Sequence, residues 1–112
     1  MNKTIIKKSK IKNAGRGVFA TCNIKKNEII EKCEVISISK QEINHIIVTN
    51  LNHYHYKFKD KFAIALGNGS LYNCNRINPN ADVMNNNNYI VLKALKNIRK
   101  NEEITFDYGY DI

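Results

Sequence analysis

The stretch from Gly69 to Ala81, GSLYNCNRINPNA, is the densest polar segment of the chain and contains its only proline. Glycine and asparagine tolerate backbone conformations that other residues avoid, so this composition predicts an irregular loop. An irregular loop beside strands can offer several backbone donors and acceptors to a ligand. A plain surface loop is the alternative interpretation.

The end of the chain, residues 101–110, reads NEEITFDYGY and combines a short strand pattern with tyrosines and acids. Chain ends fray unless something holds them, so Tyr108 and Tyr110 are not readily explained by packing alone. A tyrosine offers a ring face and a hydrogen-bonding hydroxyl. Ordinary strand and core usage accounts for at least half of the six tyrosines, and tryptophan is absent.

Between these segments, hydrophobic patterning predicts many short strands separated by turns. A single short helix is predicted within Gln41–Leu51, where isoleucines and leucine recur at helical spacing. Without longer helical segments, a parallel Rossmann-type sheet is disfavoured, and the expected class is mainly β with one or two short helices. The strand candidates are Thr4–Ile6, Val18–Ala20, Glu28–Ser39, Phe62–Leu66, Tyr89–Leu92 and Ile104–Phe106.

One internal similarity links two distant segments. Residues 23–30, NIKKNEII, and residues 97–104, NIRKNEEI, are identical at six of eight positions. Each combines a basic turn containing asparagine with an acid and the start of a strand. Because solenoid arrays need several repeats, the sequence predicts two similar turns and no repeat protein.

Length and charge limit the functional classes. The 112 residues predict a single domain spanning 1–112, with a formal net charge of +8. The basic excess is concentrated in residues 1–32, while residues 101–112 hold four acids and no base. Such a charge would attract nucleic acid, an anionic membrane or an acidic partner. A lysine- and asparagine-rich compositional bias explains it equally well.

The location expected from the sequence is intracellular, in the cytoplasm or a host nucleus. The apolar runs are too short for a transmembrane helix, and the charged N-terminus lacks the apolar stretch of a signal peptide. The three widely spaced cysteines predict reduced thiols. Neither they nor the three histidines show the spacing of a structural zinc site. Cys74 lacks an evident histidine partner, so a small buried thiol is favoured over a nucleophile.

Taken in order, four segments resemble the SET-domain family of protein lysine methyltransferases. They are Gly15–Ala20, Ala65–Asn73, Asn78–Ala81 and Asn101–Gly109. The two similar turns occupy the places of the family's paired basic-Gly-Glu turns, with Asn27 and Asn101 replacing glycine. The resemblance covers essentially the whole chain and is closest in style to the minimal viral and bacterial SET proteins.

This resemblance implies a fold of several small sheets with a C-terminal pseudoknot, in which the last strand passes through the loop of residues 73–81. It implies that S-adenosylmethionine binds on one side of a narrow channel and the substrate lysine on the other. The substrate would be a histone or another basic protein, attracted by an anionic mouth formed by the C-terminal acids.

The family's functional residues map onto this chain as follows. Tyr108 corresponds to the catalytic tyrosine, which also borders the cofactor, and Tyr54 to a second catalytic, channel-lining tyrosine. Arg16 and Gly17 would contact the methionine end of the cofactor, Asn73 its amino group and the Cys74 backbone its adenine. Phe106 and Tyr110 would line the substrate channel, and a Phe at 106 would leave room for di- or trimethylation.

Two departures from the family pattern leave alternatives open. The family usually has Asn-His-Ser where this chain has Asn73-Cys74-Asn75, and one residue is inserted before Pro79. No cysteine cluster follows Tyr108 to bind zinc, so Tyr110 or a homodimer partner would have to close the channel. A catalytically inactive SET-fold binding module, for a peptide or a nucleic acid, is therefore the alternative. Weak nucleic-acid contact through the basic N-terminal third is a further expectation.

Overall fold

The computed structural model describes residues 2–58, 61–86 and 88–108. Within these ranges, short strands dominate, which confirms the mainly β class. No helix in them is long and apolar enough to cross a membrane. The elements are β1 (Thr4–Lys8), β2 (Arg16–Ala20), β3 (Ile29–Ile38), α1 (Ile43–Ile46), a 3-10 helix (Asn50–His53), β4 (His55–Phe58), β5 (Lys61–Ala65), β6 (Asn73–Cys74), β7 (Ala81–Asn86), β8 (Tyr89–Ala94) and β9 (Glu103–Phe106).

The strands form two sheets. The first has the order β1-β2-β9-β6, and the second has the order β4-β5-β3-β8-β7. Pairing is antiparallel except between β6 and β9, which run parallel. Buried aliphatic side chains from both sheets form one core, and Tyr72, 2% exposed, is the bulkiest of its almost fully buried side chains.

The helix predicted within Gln41–Leu51 is present but shorter than the pattern suggested. Helix α1 covers one turn, and a 3-10 helix follows it. Thr49 separates the two, because its extended backbone breaks the helix and its hydroxyl accepts a hydrogen bond from the Leu51 N–H. A β-branched residue that caps a new turn therefore overrides the apolar spacing.

The two similar turns share one backbone conformation. Asn27 and Asn101 have φ values of 74° and 76°, in the left-handed region where asparagine is tolerated. The acid that follows each asparagine closes its turn: the carboxylate of Glu28 accepts from a backbone N–H three residues earlier, and so does that of Glu102. Asparagine and acid thus shape both turns in the same way.

These turns also pack directly against each other, a contact that the sequence did not predict. Ile24 and Ile98 exchange two backbone hydrogen bonds of 2.8 Å. Asn97 Oδ1 accepts from the backbone of the first turn, and Asn23 Oδ1 accepts from the backbone of the second, both at 2.9 Å. The reciprocal bonds relate the turns by an approximate local two-fold axis and tie the start of β3 to the start of β9.

The loop that follows β6 encloses β9. At its start, β6 pairs with β9, and the Asn75 N–H donates to the Phe106 carbonyl at 3.0 Å. At its end, the buried Asn80 side chain donates to the Glu103 carbonyl and accepts from the Thr105 N–H, each at 2.9 Å. The last strand is therefore held from both ends of the loop, as expected for the pseudoknot, and Tyr108 is carried to the same place.

Candidate active site

A cleft of about 830 Å³ opens where the loop, β2 and the start of β4 meet. Its volume lies in the range of small-molecule sites in proteins, roughly 300–1,000 Å³. Three separate segments of chain and Tyr108 contribute to the wall, so only the folded protein forms it. The lining residues are Ile11, Lys12, Asn13, Ala14, Arg16, Tyr54, His55, Ser70, Leu71, Tyr72, Asn73, Cys74 and Tyr108.

Tyr108 is held at this cleft through its backbone and its hydroxyl. The Tyr108 N–H lies 3.4 Å from Cys74 Sγ, and the Tyr108 hydroxyl donates to the Tyr72 carbonyl. Its ring centroid is 4.9 Å from that of Phe106. The Tyr108 hydroxyl is thus hydrogen-bonded to the backbone of Tyr72, which fixes the position of its oxygen in the cleft wall.

Tyr54 lies on the same cleft, close after the 3-10 helix that it terminates. Its backbone N–H donates to the Leu51 carbonyl, and its own carbonyl accepts from the Ser70 hydroxyl at 3.2 Å. The structure therefore brings the two predicted catalytic tyrosines, Tyr54 and Tyr108, to one site from segments far apart in the sequence.

Phe106 sits behind the cleft wall and is 6% exposed. Its ring is stacked on Tyr56 at 6.0 Å and meets Tyr72 edge-on at 6.4 Å, in addition to its contact with Tyr108. Phe106 is therefore the centre of an aromatic cluster and does not itself line the cleft. Tyr110, the other predicted channel residue, lies outside the described residues.

Asn73 and Arg16 meet on the wall of the same cleft. The Asn73 side-chain nitrogen donates to the Arg16 carbonyl at 3.0 Å and to Glu103 Oε2 at 2.8 Å. Both partners can only accept, so the amide nitrogen must face them. Within the described part of the chain no donor is recorded for the Asn73 side-chain oxygen, which could therefore accept a hydrogen bond from a ligand.

Gly17 is not among the residues that line the cleft, and its contact with the cofactor stays a prediction. It lies beneath Glu103 and Asn73: a Cβ at Gly17 would be 2.3 Å from Glu103 Oε2 and 2.8 Å from Asn73 Nδ2. Glu103 Oε1 also accepts a 2.6 Å hydrogen bond from Ser9. A glycine at position 17 therefore leaves room for the Glu103 carboxylate, which orients Asn73. This is a reason for glycine at this position other than contact with a cofactor.

The charge of the cleft differs from the expected anionic mouth. Its charged lining residues are both basic, Lys12 and Arg16. Glu103 is engaged by Ser9 and Asn73, Glu102 closes its own turn, and Asp107 lies 3.8 Å from Arg76. None of these three acids lines the cleft, and Asp111 lies outside the described residues, so an anionic mouth at the lysine channel stays a prediction, while the lining of the cleft suits an anionic group.

Cys74 is half-buried, not the buried thiol that the sequence favoured. Its backbone pairs with Phe106 in the parallel β6–β9 ladder, and its Sγ faces the Tyr108 N–H. The residue therefore links β9 to the cleft wall. Across 2–58, 61–86 and 88–108, no group of three or more His, Cys, Asp or Glu side chains could hold a metal ion.

Sequence reasoning missed three residues around the cleft. The sequence assigned no separate role to Tyr72, yet its carbonyl accepts from the Tyr108 hydroxyl and its own hydroxyl donates to Glu31 Oε1 at 2.6 Å. His55 lines the cleft, and its buried Nδ1 atom has no partner among the residues described. The only sequence signal for Tyr72 was its position immediately before Asn73. The sequence contained no signal for Glu31.

Burial changes the ionisation of the groups beneath the site. Desolvation, reinforced by the nearby charge of Glu31, raises the pKa of Tyr72 well above its usual value, so its phenol remains a neutral donor. Desolvation and the same carboxylate raise the pKa of the Cys33 thiol to about 12. Both groups therefore stay protonated at physiological pH.

Comparison with known proteins agrees with this architecture. The SET-domain family model matches residues 15–109. The chain is 41% identical over 99 residues to a histone-lysine N-methyltransferase, H3 lysine-37 specific, of Schizosaccharomyces pombe, which covers 85% of this chain and 67% of that protein.

Solved structures show the same fold. A protein of Plasmodium falciparum described as a candidate histone methyltransferase superposes with a TM-score of 0.79 at 38% identity, covering 99% of this chain and 96% of that one. A chain of ctPRC2, in an autoinhibited conformation bound to S-adenosylmethionine, gives a TM-score of 0.76 at 22% identity and covers 96% of this chain but 15% of that one. The second likeness concerns the fold alone. The family match and the S. pombe relative together place the chain in the SET-domain family, and it is a protein-lysine methyltransferase.

Proposed function

We propose that the chain transfers a methyl group from S-adenosylmethionine to the ε-amine of a lysine in a histone or another basic protein. The observation that carries this proposal is the single cleft that holds the Tyr108 hydroxyl together with Arg16 and Asn73. The name of the S. pombe relative supports a histone substrate, and the ctPRC2 structure bound to S-adenosylmethionine supports the cofactor.

The residues present fit the polar end of that cofactor. Its amino-acid carboxylate is anionic, and Lys12 and Arg16 supply the cations of the cleft. Its ammonium group is a donor, and the free side-chain oxygen of Asn73 is an acceptor whose orientation Glu103 fixes. The Cys74 backbone, beside Asn73, would meet the adenine. The cleft volume of about 830 Å³ is ample for a molecule of this size.

When bound, S-adenosylmethionine supplies an electrophilic methyl carbon on a positively charged sulfur. The substrate lysine must be neutral to attack it, although the reference pKa of lysine is about 10.4. Desolvation between aromatic walls and the positive charge on that sulfur would both favour the neutral amine. The lysine nitrogen would form a C–N bond as the C–S bond breaks, the bonding pair would remain on sulfur, and one proton would leave the nitrogen for water.

In this scheme Tyr108 holds the reacting atoms in place and takes up no proton permanently. Its oxygen sits at the Tyr72 carbonyl, so two oxygens converge on the region where methyl and amine would meet. Tyr54 would border the lysine chain from the other side of the cleft. Fixing the amine in line with the breaking bond supplies a large part of the rate.

The test compares Tyr108→Phe with a matched control. Tyr89→Phe removes the same hydroxyl from the second sheet, where Lys32 lies 4.0 Å above the Tyr89 ring centroid. With labelled cofactor and a panel of histones, we expect turnover to fall at least about a hundredfold in Tyr108→Phe, within the range for losing an oriented catalytic hydrogen bond. Tyr89→Phe should retain wild-type turnover. Normal turnover by Tyr108→Phe would rule out the role proposed for that hydroxyl.

A binding module without catalysis is the second candidate, and Cys74 motivates it. The thiol holds the Tyr108 N–H at 3.4 Å, a weaker donor–acceptor pair than an imidazole or hydroxyl would form. Calorimetry separates the two cases, because folded protein that takes up no S-adenosylmethionine would favour the binding module.

The homodimer, the nucleic-acid contact and the intracellular location stay predictions. Sedimentation would establish the number of subunits. Titration of DNA at two salt concentrations would detect contact through the basic N-terminal third, since phosphate binding weakens steeply with salt.

A further inference from the structure

Tyr72 connects two parts of the molecule that the proposed mechanism treats separately. Its backbone carbonyl, on the cleft, accepts from the Tyr108 hydroxyl. Its side chain runs the other way into the core, where only 2% of the residue is exposed, and its hydroxyl donates to Glu31. We propose that Glu31 and Tyr72 act as a positioning pair that sets the place of the Tyr108 hydroxyl. The inference rests on the proposed function, because it assigns importance to Tyr108.

The Glu31 carboxylate is itself fixed by several contacts. It lies on β3, where the pairing with β8 shifts register between Ile29 and Glu31. Its Oε1 accepts from Tyr72 at 2.6 Å, and its Oε2 accepts from the Asn68 backbone N–H at 2.9 Å. Gly67 makes room for it, since a Cβ there would be 2.6 Å from Glu31 Oε2. A half-buried carboxylate with both oxygens engaged has little freedom to move.

The Asn68 contact extends this anchorage to the first sheet. Asn68 Nδ2 donates to the Thr4 hydroxyl at 2.8 Å, and Thr4 is 4% exposed. The loop that carries Tyr72 is therefore fastened to β3 through Glu31 and to β1 through Thr4. Tyr72 connects these contacts to the cleft, because its own carbonyl lies there.

The aromatic cluster couples the same residue to Tyr108 a second time. The Tyr72 ring meets Phe106 edge-on at 6.4 Å, and Phe106 in turn contacts the Tyr108 ring at 4.9 Å. Tyr108 therefore rests on Tyr72 both directly, through hydroxyl and carbonyl, and indirectly, through Phe106. Displacement of the Tyr72 ring would move both supports together.

The chemical consequence follows from the geometry. Without the Tyr72 hydroxyl, the ring loses its only fixed polar end, and the peptide unit that carries the carbonyl can shift. Misplacement of a reacting group by about 1 Å can cost about a hundredfold in rate, and a partial shift costs less. Arg16 lies on another segment. Asn73 follows Tyr72 directly, but its side chain is held separately by the Arg16 carbonyl and Glu103, so we expect cofactor contacts to change less than turnover.

An ordinary core hydrogen bond is the competing explanation, and it predicts loss of stability without a specific effect on turnover. The control is Ile24→Val, which removes one methylene from a core residue that is 1% exposed and lies in the first of the two similar turns, where it pairs with Ile98 of the second. That change costs stability without touching the cleft. Tyr72→Phe and Glu31→Gln are the test variants, together with the double variant.

The experiment measures kcat and KM for S-adenosylmethionine well below the unfolding temperature of each variant. We expect kcat to fall about tenfold in Tyr72→Phe, KM to stay within about twofold, and Ile24→Val to match wild type. If Glu31 acts through Tyr72, the double variant should lose no more turnover than Tyr72→Phe alone. A kcat of Tyr72→Phe within about twofold of wild type would overturn the inference.

A second measurement needs no activity. In protein with ¹³C-labelled tyrosine rings, the Tyr108 signal, assigned by its loss in Tyr108→Phe, should shift in Tyr72→Phe and in Glu31→Gln but not in Ile24→Val. An unmoved Tyr108 signal in both variants would also overturn the inference. Wild-type protein that transfers no methyl group would refute the proposed function, and the Tyr108 signal would still decide whether the pair positions this residue.

Discussion

Asn80 is predicted to be the residue on which the threaded C-terminal strand depends most. Its side chain, 8% exposed, donates to the Glu103 carbonyl and accepts from the Thr105 N–H, each at 2.9 Å. Asn80→Ala removes both bonds and leaves a buried donor and a buried acceptor without partners on β9. An unsatisfied buried polar group costs about 1–3 kcal/mol, so we expect the free energy of unfolding to fall by about 2–4 kcal/mol.

That loss would be a large fraction of the stability of a domain this size, roughly 5–15 kcal/mol. Equilibrium unfolding in urea measures it directly, and a lower midpoint with an unchanged slope would show that stability alone has changed. Asn78→Ala is the matched control, because Asn78 belongs to the same loop but is exposed, and among the residues described its side chain hydrogen-bonds only to Lys96. It should cost no more than about 0.5 kcal/mol. Equal losses for Asn80→Ala and Asn78→Ala would refute the reasoning that Asn80 holds β9.

Three further predictions concern the turns, the core thiol and the aromatic cluster. Asn101 has a φ of 76°, which alanine tolerates poorly and glycine tolerates well. Asn101→Ala should therefore lower the stability of the protein by about 1 kcal/mol and Asn101→Gly by less than about 0.5 kcal/mol. Thermal unfolding that ranks the two variants the other way would contradict the assigned strain. The pKa of Cys33 is raised from 9.0 to about 12 in the folded protein, so the unfolded chain loses the thiol proton at lower pH. The free energy of unfolding should therefore fall as pH rises through this interval. The fall should be smaller in Cys33→Ala than in the Cys22→Ala control. Phe106→Tyr places a hydroxyl beside Tyr108 and should lower the number of methyl groups added per lysine. Mass spectrometry of the product measures this number, and an unchanged methylation state would argue against Phe106 as the residue that determines it.

Much of the fold was predictable because local patterns determine it. The six strand candidates correspond to β1, β2, β3, β5, β8 and β9, whereas β4, β6 and β7 were not predicted. The asparagine turns at 27 and 101 have the left-handed backbone expected when asparagine replaces glycine. Four of the residues grouped by the resemblance to SET domains, Arg16, Tyr54, Asn73 and Tyr108, line one cleft. Helix α1 was overestimated because Thr49 caps a new turn, an event that apolar spacing does not reveal.

The remaining features depend on contacts between residues far apart in the chain. Glu31 and Tyr72 are 41 positions apart, and Ser9 and Glu103 are 94 apart. No periodicity or turn signal connects such pairs, because their contact is created when the two sheets pack. The same holds for the acids near the end of the chain, since Glu103 accepts hydrogen bonds from Ser9 and Asn73, partners that a charge count along the chain does not reveal.

The measurement that tests the central claim most directly is methyl transfer by the wild-type protein. Purified chain would be incubated with S-adenosylmethionine carrying a labelled methyl group and with separate core histones, and the products would be sequenced by mass spectrometry. The account predicts labelled methyl groups on lysine nitrogen of at least one histone, and their loss when Tyr108→Phe replaces the wild type. Folded protein that binds the cofactor yet labels no lysine on histones or other basic proteins would contradict it.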